Sequence, residues 1–251
     1  MNLVSSLHQI APLIGTLISI RSPEVAEALA LCGYDLLFLD LEHSTIDIAA
    51  AQTIVQAVAR RAFTVLRLPD NNPEHFKKAL DTGCDGVIIP FINSPEDARA
   101  AVAAAKYPPL GARSFGIGRA QAYGLSVASY VEEANSSVAL ILQIEHKDAV
   151  ERIDEILAVD AFDGIFVGPY DLSGSMGLPG QLNHPEVVAA IERVRSACAA
   201  TGKPFGIFCS TLERARAEAA RGTRFIVCAT DLLLMTGAAT THLQELRPPQ
   251  A

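Results

Sequence analysis

Acid, imidazole and guanidinium groups recur where apolar runs of this sequence end. Leu39-Asp40-Leu41-Glu42-His43 closes one run and Leu66-Arg67-Leu68-Pro69 another. Gln143-Ile144-Glu145-His146 closes a third and Gly168-Pro169-Tyr170-Asp171 a fourth. Taken singly, such a residue is a first loop residue or a helix cap, and Asp40, Glu42 and Asp171 each fit that plain role. Four runs ending this way favour a shared site. Glu145 and Asp171 bring two hard oxygen donors with no cysteine beside them. With waters completing the shell, that pair suits Mg²⁺ or Mn²⁺ better than structural zinc; the plain alternative is two solvated caps. His43 places an imidazole beside Asp40 and Glu42 and suits a general base. Arg67 lies within an apolar run, where an unpaired charge is expensive, so it requires a carboxylate from protein or substrate. The lysines (Lys77, Lys78, Lys106, Lys147 and Lys203) all fall outside the apolar runs. Schiff-base chemistry wants a desolvated lysine on a strand, so metal-dependent carbonyl chemistry fits better.

Elements of a particular kind must carry these residues. The apolar runs are Ile14–Ile20, Leu36–Leu41, Thr64–Leu68, Gly86–Ile92, Val138–Ile144, Gly164–Val167, Phe205–Phe208 and Phe225–Cys228. Each has strand length and little alternation, as strands buried on both faces do in a parallel sheet. Between them lie helical stripes: Ile54, Val55 and Val58; Val150, Ile153, Ile156 and Leu157; Val187, Val188, Ile191, Val194 and Cys198. Ser22-Pro23-Glu24, Asn72-Pro73-Glu74 and Ser94-Pro95-Glu96 each place a cap, a proline at the first helical position and an acid in the first turn. His184-Pro185-Glu186 is a weaker copy, with Asn183 expected as its cap. Strands and helices in eightfold alternation over 251 residues predict a single-domain (β/α)₈ TIM barrel. A doubly wound sheet would carry a glycine-rich turn after its first strand, and Ser19-Ile20-Arg21-Ser22 is not one. In a barrel the polar run ends meet at the C-terminal rim. One segment, Pro108 to about Asn135, has several glycines and no clear period, and suggests a lid. Its Gly116-Ile117-Gly118 lacks the spacing of a nucleotide loop.

Composition narrows the partners. Half of the residues are hydrophobic, enough for a large core. Twenty basic against twenty-eight acidic residues give a formal charge of −8, which argues against nucleic acid or an anionic membrane as partner. The five cysteines are scattered without a C-x-x-C pair, as expected for buried thiols in a reducing cytosol. The first arginine or lysine is Arg21, and the apolar run Ile10–Ile20 is too short for a span, so the expectation is a cytoplasmic protein.

With these motifs in view, the chain resembles the HpcH/HpaI aldolase family, metal-dependent class II pyruvate aldolases. The match runs over nearly the whole chain. It includes Gly33-Tyr34-Asp35, the Asp40 and Arg67 motifs, Gly86-Val87-Ile88-Ile89-Pro90, Tyr107-Pro108-Pro109-Leu110-Gly111-Ala112-Arg113, Gln143-Ile144-Glu145 and, most specifically, Phe166-Val167-Gly168-Pro169-Tyr170-Asp171-Leu172-Ser173. The resemblance implies one barrel over 1–251, a hexamer built as a trimer of dimers, and a C-terminal helix used in oligomer contacts. It implies reversible cleavage of a 4-hydroxy-2-oxo acid to pyruvate and an aldehyde. Glu145 and Asp171 match the ligands of a divalent metal, Mg²⁺ or Mn²⁺, with Co²⁺ as a further option. His43 matches the catalytic base and Arg67 the group that stabilises the enolate, with Asp40 beside them. Asp81 matches an acid that raises the basicity of the histidine, although spacing puts it at a helix end. Gln143 and the backbone around Tyr170 (Gly168, Pro169, Tyr170, Asp171) match substrate contacts. Arg119 and Tyr123 match a segment bordering the site. The chain departs from the pattern at His146, where a small hydroxyl residue is expected, at Tyr170, where a small residue is commoner, and at Ile18-Ser19-Ile20, which lacks an aromatic residue. Two rival readings are a CoA-thioester lyase of the citramalyl or malyl type and a non-catalytic 2-oxo-acid-binding module. The acidic charge and short chain count against the first, and the second gives His43 no task.

Overall fold

The structure, a computed structural model, describes residues 2–247. Eight strands close into a barrel in sequence order: β1 (Leu13–Ile18), β2 (Leu36–Asp40), β3 (Phe63–Arg67), β4 (Gly86–Ile89), β5 (Ala139–Ile144), β6 (Gly164–Val167), β7 (Phe205–Cys209) and β8 (Phe225–Thr230). All neighbours pair in parallel, β8 with β1 included. The helices in chain order are α1 (Leu3–Leu7), α2 (Pro23–Leu31), α3 (Ile48–Val58), α4 (Pro73–Asp81), α5 (Pro95–Ala105), α6 (Val127–Ser137), α7 (Lys147–Glu151), α8 (Ile153–Leu157), α9 (Pro169–Ser175), α10 (Pro185–Thr201), α11 (Leu212–Ala220) and α12 (Asp231–Leu246).

The caps explain where helices begin. Ser22, Asn72 and Ser94 accept from the backbone N–H of Val25, Glu74 and Asp97, each ahead of an N1 proline. At α10 the cap is His184 rather than Asn183, because its ring nitrogen accepts from the Glu186 N–H. The stripe from Val150 to Leu157 is two short helices broken at Arg152, not one. The segment without a clear period contains α6, whose only buried residue is Ala134; with so little to bury it has no apolar stripe to read.

Two apolar layers hold the barrel. Leu36 and Phe38, Val65, Ile88, Ile141, Phe166, Phe225 and Val227 fill its interior, and Leu3 and Leu7 of α1 join this cluster. A larger layer packs the outer faces of the strands against the helices. The interior stacks tightly: Phe38 and Phe166 have ring centroids 5.1 Å apart, and Phe166 and Phe225 5.9 Å. Gly206 pairs in register with Phe225, and a Cβ there would lie 2.2 Å from the Phe225 ring. Gly206→Ala is therefore expected to cost about 1–3 kcal/mol by overpacking, a fall in Tm of about 5 °C for a chain this long. Gly174→Ala, where a Cβ meets nothing within 4 Å, serves as the control in calorimetry. It should hold or slightly raise Tm by lowering the entropy of a helical position.

The cysteines are all free. Cys84, Cys198 and Cys209 are buried, and desolvation pushes their thiols up to about 12, which leaves them inert. Cys32, by contrast, is exposed. Among the described residues no helix is long and apolar enough to cross a membrane.

Candidate active site

The interior rows of the strands lead directly to the rim. Side chains alternate faces along a strand, so the inward row Leu36, Phe38 continues to Asp40, and Val65 to Arg67. On β5 the inward Ile141 is followed by Gln143 and then Glu145 just past the strand, and on β6 Phe166 is followed by Gly168. Asp40 and Arg67 face each other in register. Their ion pair is two-pronged: Arg67 Nε donates to Asp40 Oδ1 at 3.0 Å, and Nη2 lies 2.8 Å from Oδ2. Arg67 Nη1 also lies 3.2 Å from Glu42 Oε2, and the guanidinium sits 5.8 Å from the Phe38 ring centroid. The carboxylate that Arg67 requires is thus supplied by the protein, twice. Asp40 Oδ1 further accepts from the N–H groups of Glu42 and His43, which fixes the turn carrying both.

Glu42 and His43 form the proton-handling part of this group. The Glu42 carboxylate is almost enclosed and lies 3.7 Å from His43 Nε2, while the imidazole is well exposed. Burial pushes the Glu42 carboxyl up to about 7, with Arg67 opposing and the charge of Glu145 adding to it. A carboxyl poised near neutrality beside an exposed imidazole can share one proton with it.

Glu145 is held from both sides. Its Oε1 accepts from the Phe91 N–H at 2.9 Å, and Oε2 accepts from the Gln143 side-chain amide at 2.5 Å. Burial raises its pKa, the Phe91 and Gln143 hydrogen bonds lower it, and the charge of Asp171 raises it again. Asp171 is exposed in the first turn of α9, two residues after Pro169 at N1. The charge of Asp171 thus reaches the Glu145 carboxyl. Two further features fit a cation here. Gln143 Oε1 is a buried acceptor with no hydrogen-bond partner. Gly168 leaves open a cradle in which a Cβ would come 3.4 Å from Glu145 Oε2. The donors are all oxygens, as a hard divalent ion prefers. Among the described residues no group of three or more His, Cys, Asp or Glu converges as a ligand set, so the protein's share would be two carboxylates, with water or substrate supplying the rest.

The structure brings Asp40, Glu42, His43, Arg67, Gln143, Glu145, Gly168, Pro169, Tyr170 and Asp171 to one rim, but it does not bring Asp81 there. Asp81 is the last residue of α4, and a barrel helix runs antiparallel to its strand, so it lies at the opposite end. Its Oδ1 takes Arg113 Nη2 at 3.0 Å and Gln121 Nε2 at 3.2 Å. Arg119 is tied to the Thr82 carbonyl beside it, and Tyr123 to Gln56. The long segment thus packs against the end of α4 and is no lid over the rim of its own chain. His146, one of the departures, caps α7 by accepting from the Asp148 N–H. Two rim residues escaped the sequence reading. Phe91 positions Glu145 through a backbone N–H, which leaves no trace in residue type. Asp231, buried at the start of α12, accepts from the N–H groups of Ser19 and Ile20 and from the Ser19 hydroxyl, closing the β1–β8 seam; an acid after the eighth run was its only signal.

The model of the HpcH/HpaI aldolase/citrate lyase family matches residues 14–238. A hydroxypyruvate/pyruvate aldolase of Sagittula stellata is 43% identical over 92% of this chain and 92% of its own. A 2-dehydro-3,6-dideoxy-6-sulfogluconate aldolase of Pseudomonas putida is 40% identical over 97% of this chain and 96% of its own. Among solved structures, an HpcH/HpaI aldolase/citrate lyase family protein of Burkholderia cenocepacia superposes with a TM-score of 0.94 at 35% identity, covering 98% of this chain and 99% of that one.

Proposed function

We propose, from the premise that this chain belongs to the HpcH/HpaI aldolase/citrate lyase family, a specific division of labour at the rim. The chain is a carbon–carbon lyase of the aldolase kind, and its reaction is the reversible cleavage of a 4-hydroxy-2-oxo acid to pyruvate and an aldehyde. The observation that carries the assignment is the convergence of the Asp40–Arg67–Glu42 ion pairs and the Gln143–Glu145 pair on one rim beside Asp171.

Glu145 and Asp171 are the residues that would hold a divalent ion, Mg²⁺, Mn²⁺ or Co²⁺, which when bound supplies Lewis-acid polarisation of the 2-oxo group. His43 takes the proton of the 4-hydroxyl, and Glu42 shares it. The C3–C4 bond then breaks, the aldehyde leaves, and the electron pair passes to the pyruvate fragment as negative charge on the former carbonyl oxygen. Arg67 is fixed by two acids and presents a preorganised positive charge to that oxygen, so little reorganisation is needed as the charge forms. A proton returned to C3 completes pyruvate. Gln143 orients Glu145 and offers its open Oε1 to the site. In the stretch from Gly168 to Asp171 the Gly168 N–H donates to the Ile144 carbonyl and Pro169 has none, so the Tyr170 and Asp171 N–H groups in the first turn of α9, which lack helical acceptors, seat the substrate carboxylate. Asp81 has its charge taken by Arg113 and is given no role. The apolar residues exposed on α12 (Leu233, Met235 and Leu246 among them) support its use in contacts between copies, as in a hexamer. Small-molecule substrates and the acidic surface support a cytoplasmic setting.

The decisive measurement is exchange of the pyruvate methyl protons in D₂O, followed by NMR. Exchange is expected with Mn²⁺ or Mg²⁺, to be lost with EDTA and to return when metal is restored. Exchange insensitive to EDTA, or a pyruvate adduct trapped by borohydride, would overturn the reading.

A further inference from the structure

Two half-exposed aromatic residues sit just past the strands on either side of the one that leads into Glu145, and their rings have no task in the reaction as described. Phe91 follows β4 and Tyr170 follows β6, and these strands are the two neighbours of β5, which leads into Glu145. Phe91 has φ 58°, in the left-handed region that bulky side chains avoid. Glycine would present the same N–H to Glu145 at that φ without strain. The chain instead carries a benzyl group there and leaves it 52% exposed, so packing does not account for it. Tyr170 is 47% exposed, directly before Asp171, and its ring rests edge-on against Phe208 with centroids 6.5 Å apart. Asp40, Arg67 and Gln143 are each at most 9% exposed and form the floor of the site. Phe91 and Tyr170 are far more exposed than this floor and belong to the same rim, which the part of a substrate beyond the pyruvate unit must meet.

We propose that Phe91 and Tyr170 wall the acceptor subsite and select aldehydes that present an apolar C–H or aryl face. The inference rests on the aldolase reading above and deepens it. Backbone strain at Phe91 is maintained because one residue serves two ends: its N–H fixes Glu145 and its ring meets the acceptor. Tyr170 presents its ring from the start of α9, next to Asp171, with Phe208 bracing it.

The test is the initial rate of aldol addition of pyruvate to benzaldehyde and to glycolaldehyde by the full chain with Mn²⁺, alongside pyruvate methyl exchange without any aldehyde. The wild type is expected to prefer benzaldehyde in kcat/KM. Phe91→Gly and Tyr170→Ala should each lower the benzaldehyde-to-glycolaldehyde ratio about tenfold, mainly through KM, as loss of one apolar contact surface does elsewhere. Tyr170→Phe should keep the ratio. A ratio unmoved by both Phe91→Gly and Tyr170→Ala, or a wild-type preference for glycolaldehyde, overturns the inference. Exchange with no ring-dependent ratio defeats this inference alone, whereas a wild type without exchange defeats the aldolase reading beneath it.

Discussion

Glu145→Gln should lower metal-dependent pyruvate exchange by about 10³-fold or more while raising the melting temperature of the metal-free protein. The rate loss follows from removing one of two charged oxygen donors, since a metal's contribution to charge stabilisation is several kcal/mol and each 1.36 kcal/mol is tenfold. The gain in stability follows from linkage. Burial, reinforced by the charge of Asp171, outweighs the Phe91 and Gln143 hydrogen bonds and holds the Glu145 carboxyl above its ordinary range. A raised pKa means that the folded chain keeps this proton to higher pH than the unfolded chain. Stability is therefore lost as pH rises from the ordinary carboxylate range through the raised value. An amide at this position never ionises. With EDTA present, the variant should melt above the wild type at neutral pH, and the gap should close toward about pH 4, where the wild-type carboxyl is protonated in both states. Measuring Tm against pH for both proteins checks it. A variant that loses activity and also melts lower at neutral pH would show that the Glu145 charge is structural.

Arg67→Ala is expected to damage both fold and rate. Arg67 and Asp40 are buried, and Glu42 is nearly so along its side chain. Removing the guanidinium leaves two enclosed carboxylates without their cation, a loss that typically costs about 3–5 kcal/mol, or about 10 °C in Tm at this chain length. The damage should grow with pH, because two acids left without Arg67 resist ionisation in the folded state only. Below the carboxylate range much of it should disappear. Exchange, measured on the folded fraction, should fall about 10²–10³-fold through loss of a preorganised positive charge at the developing oxyanion. Asp40→Asn in the same background should recover part of the Tm, since it removes one of the stranded charges, without recovering rate. A single variant as stable as wild type at pH 8 would refute the electrostatic account.

Much of this barrel is legible in residue order because each strand is buried on both faces. Burial of both faces turns strands into short, nearly continuous apolar runs, and the run Gly164–Val167 coincides with β6 to the residue. Ser-Pro-Glu and Asn-Pro-Glu work as starts because a cap oxygen, an N1 proline and a first-turn acid act within four residues. Where the stabilising contact is distant or made by backbone, the text is silent. α6 buries one alanine and carries no stripe. α1 is five residues long, and its value lies in the interior cluster that Leu3 and Leu7 join. Asp81 lies apart from the rim because a resemblance matches position along the sequence, whereas α4 carries its last residue to the other end of the barrel.

The sequence by itself determined the strands, the proline-marked helix starts, the family and the identity of the acids, histidine and arginine that end the runs, since these depend on local periodicity and side-chain chemistry. Only the tertiary structure decided which of them meet. Strands apolar on both faces hide their inward parity. The match of Asp40 to Arg67 is set by the register between β2 and β3, the grip on Glu145 by a strained Phe91 backbone, and the distance of Asp81 by the direction of its helix. Each of these is a relation between segments far apart in the chain, created when the sheet closes.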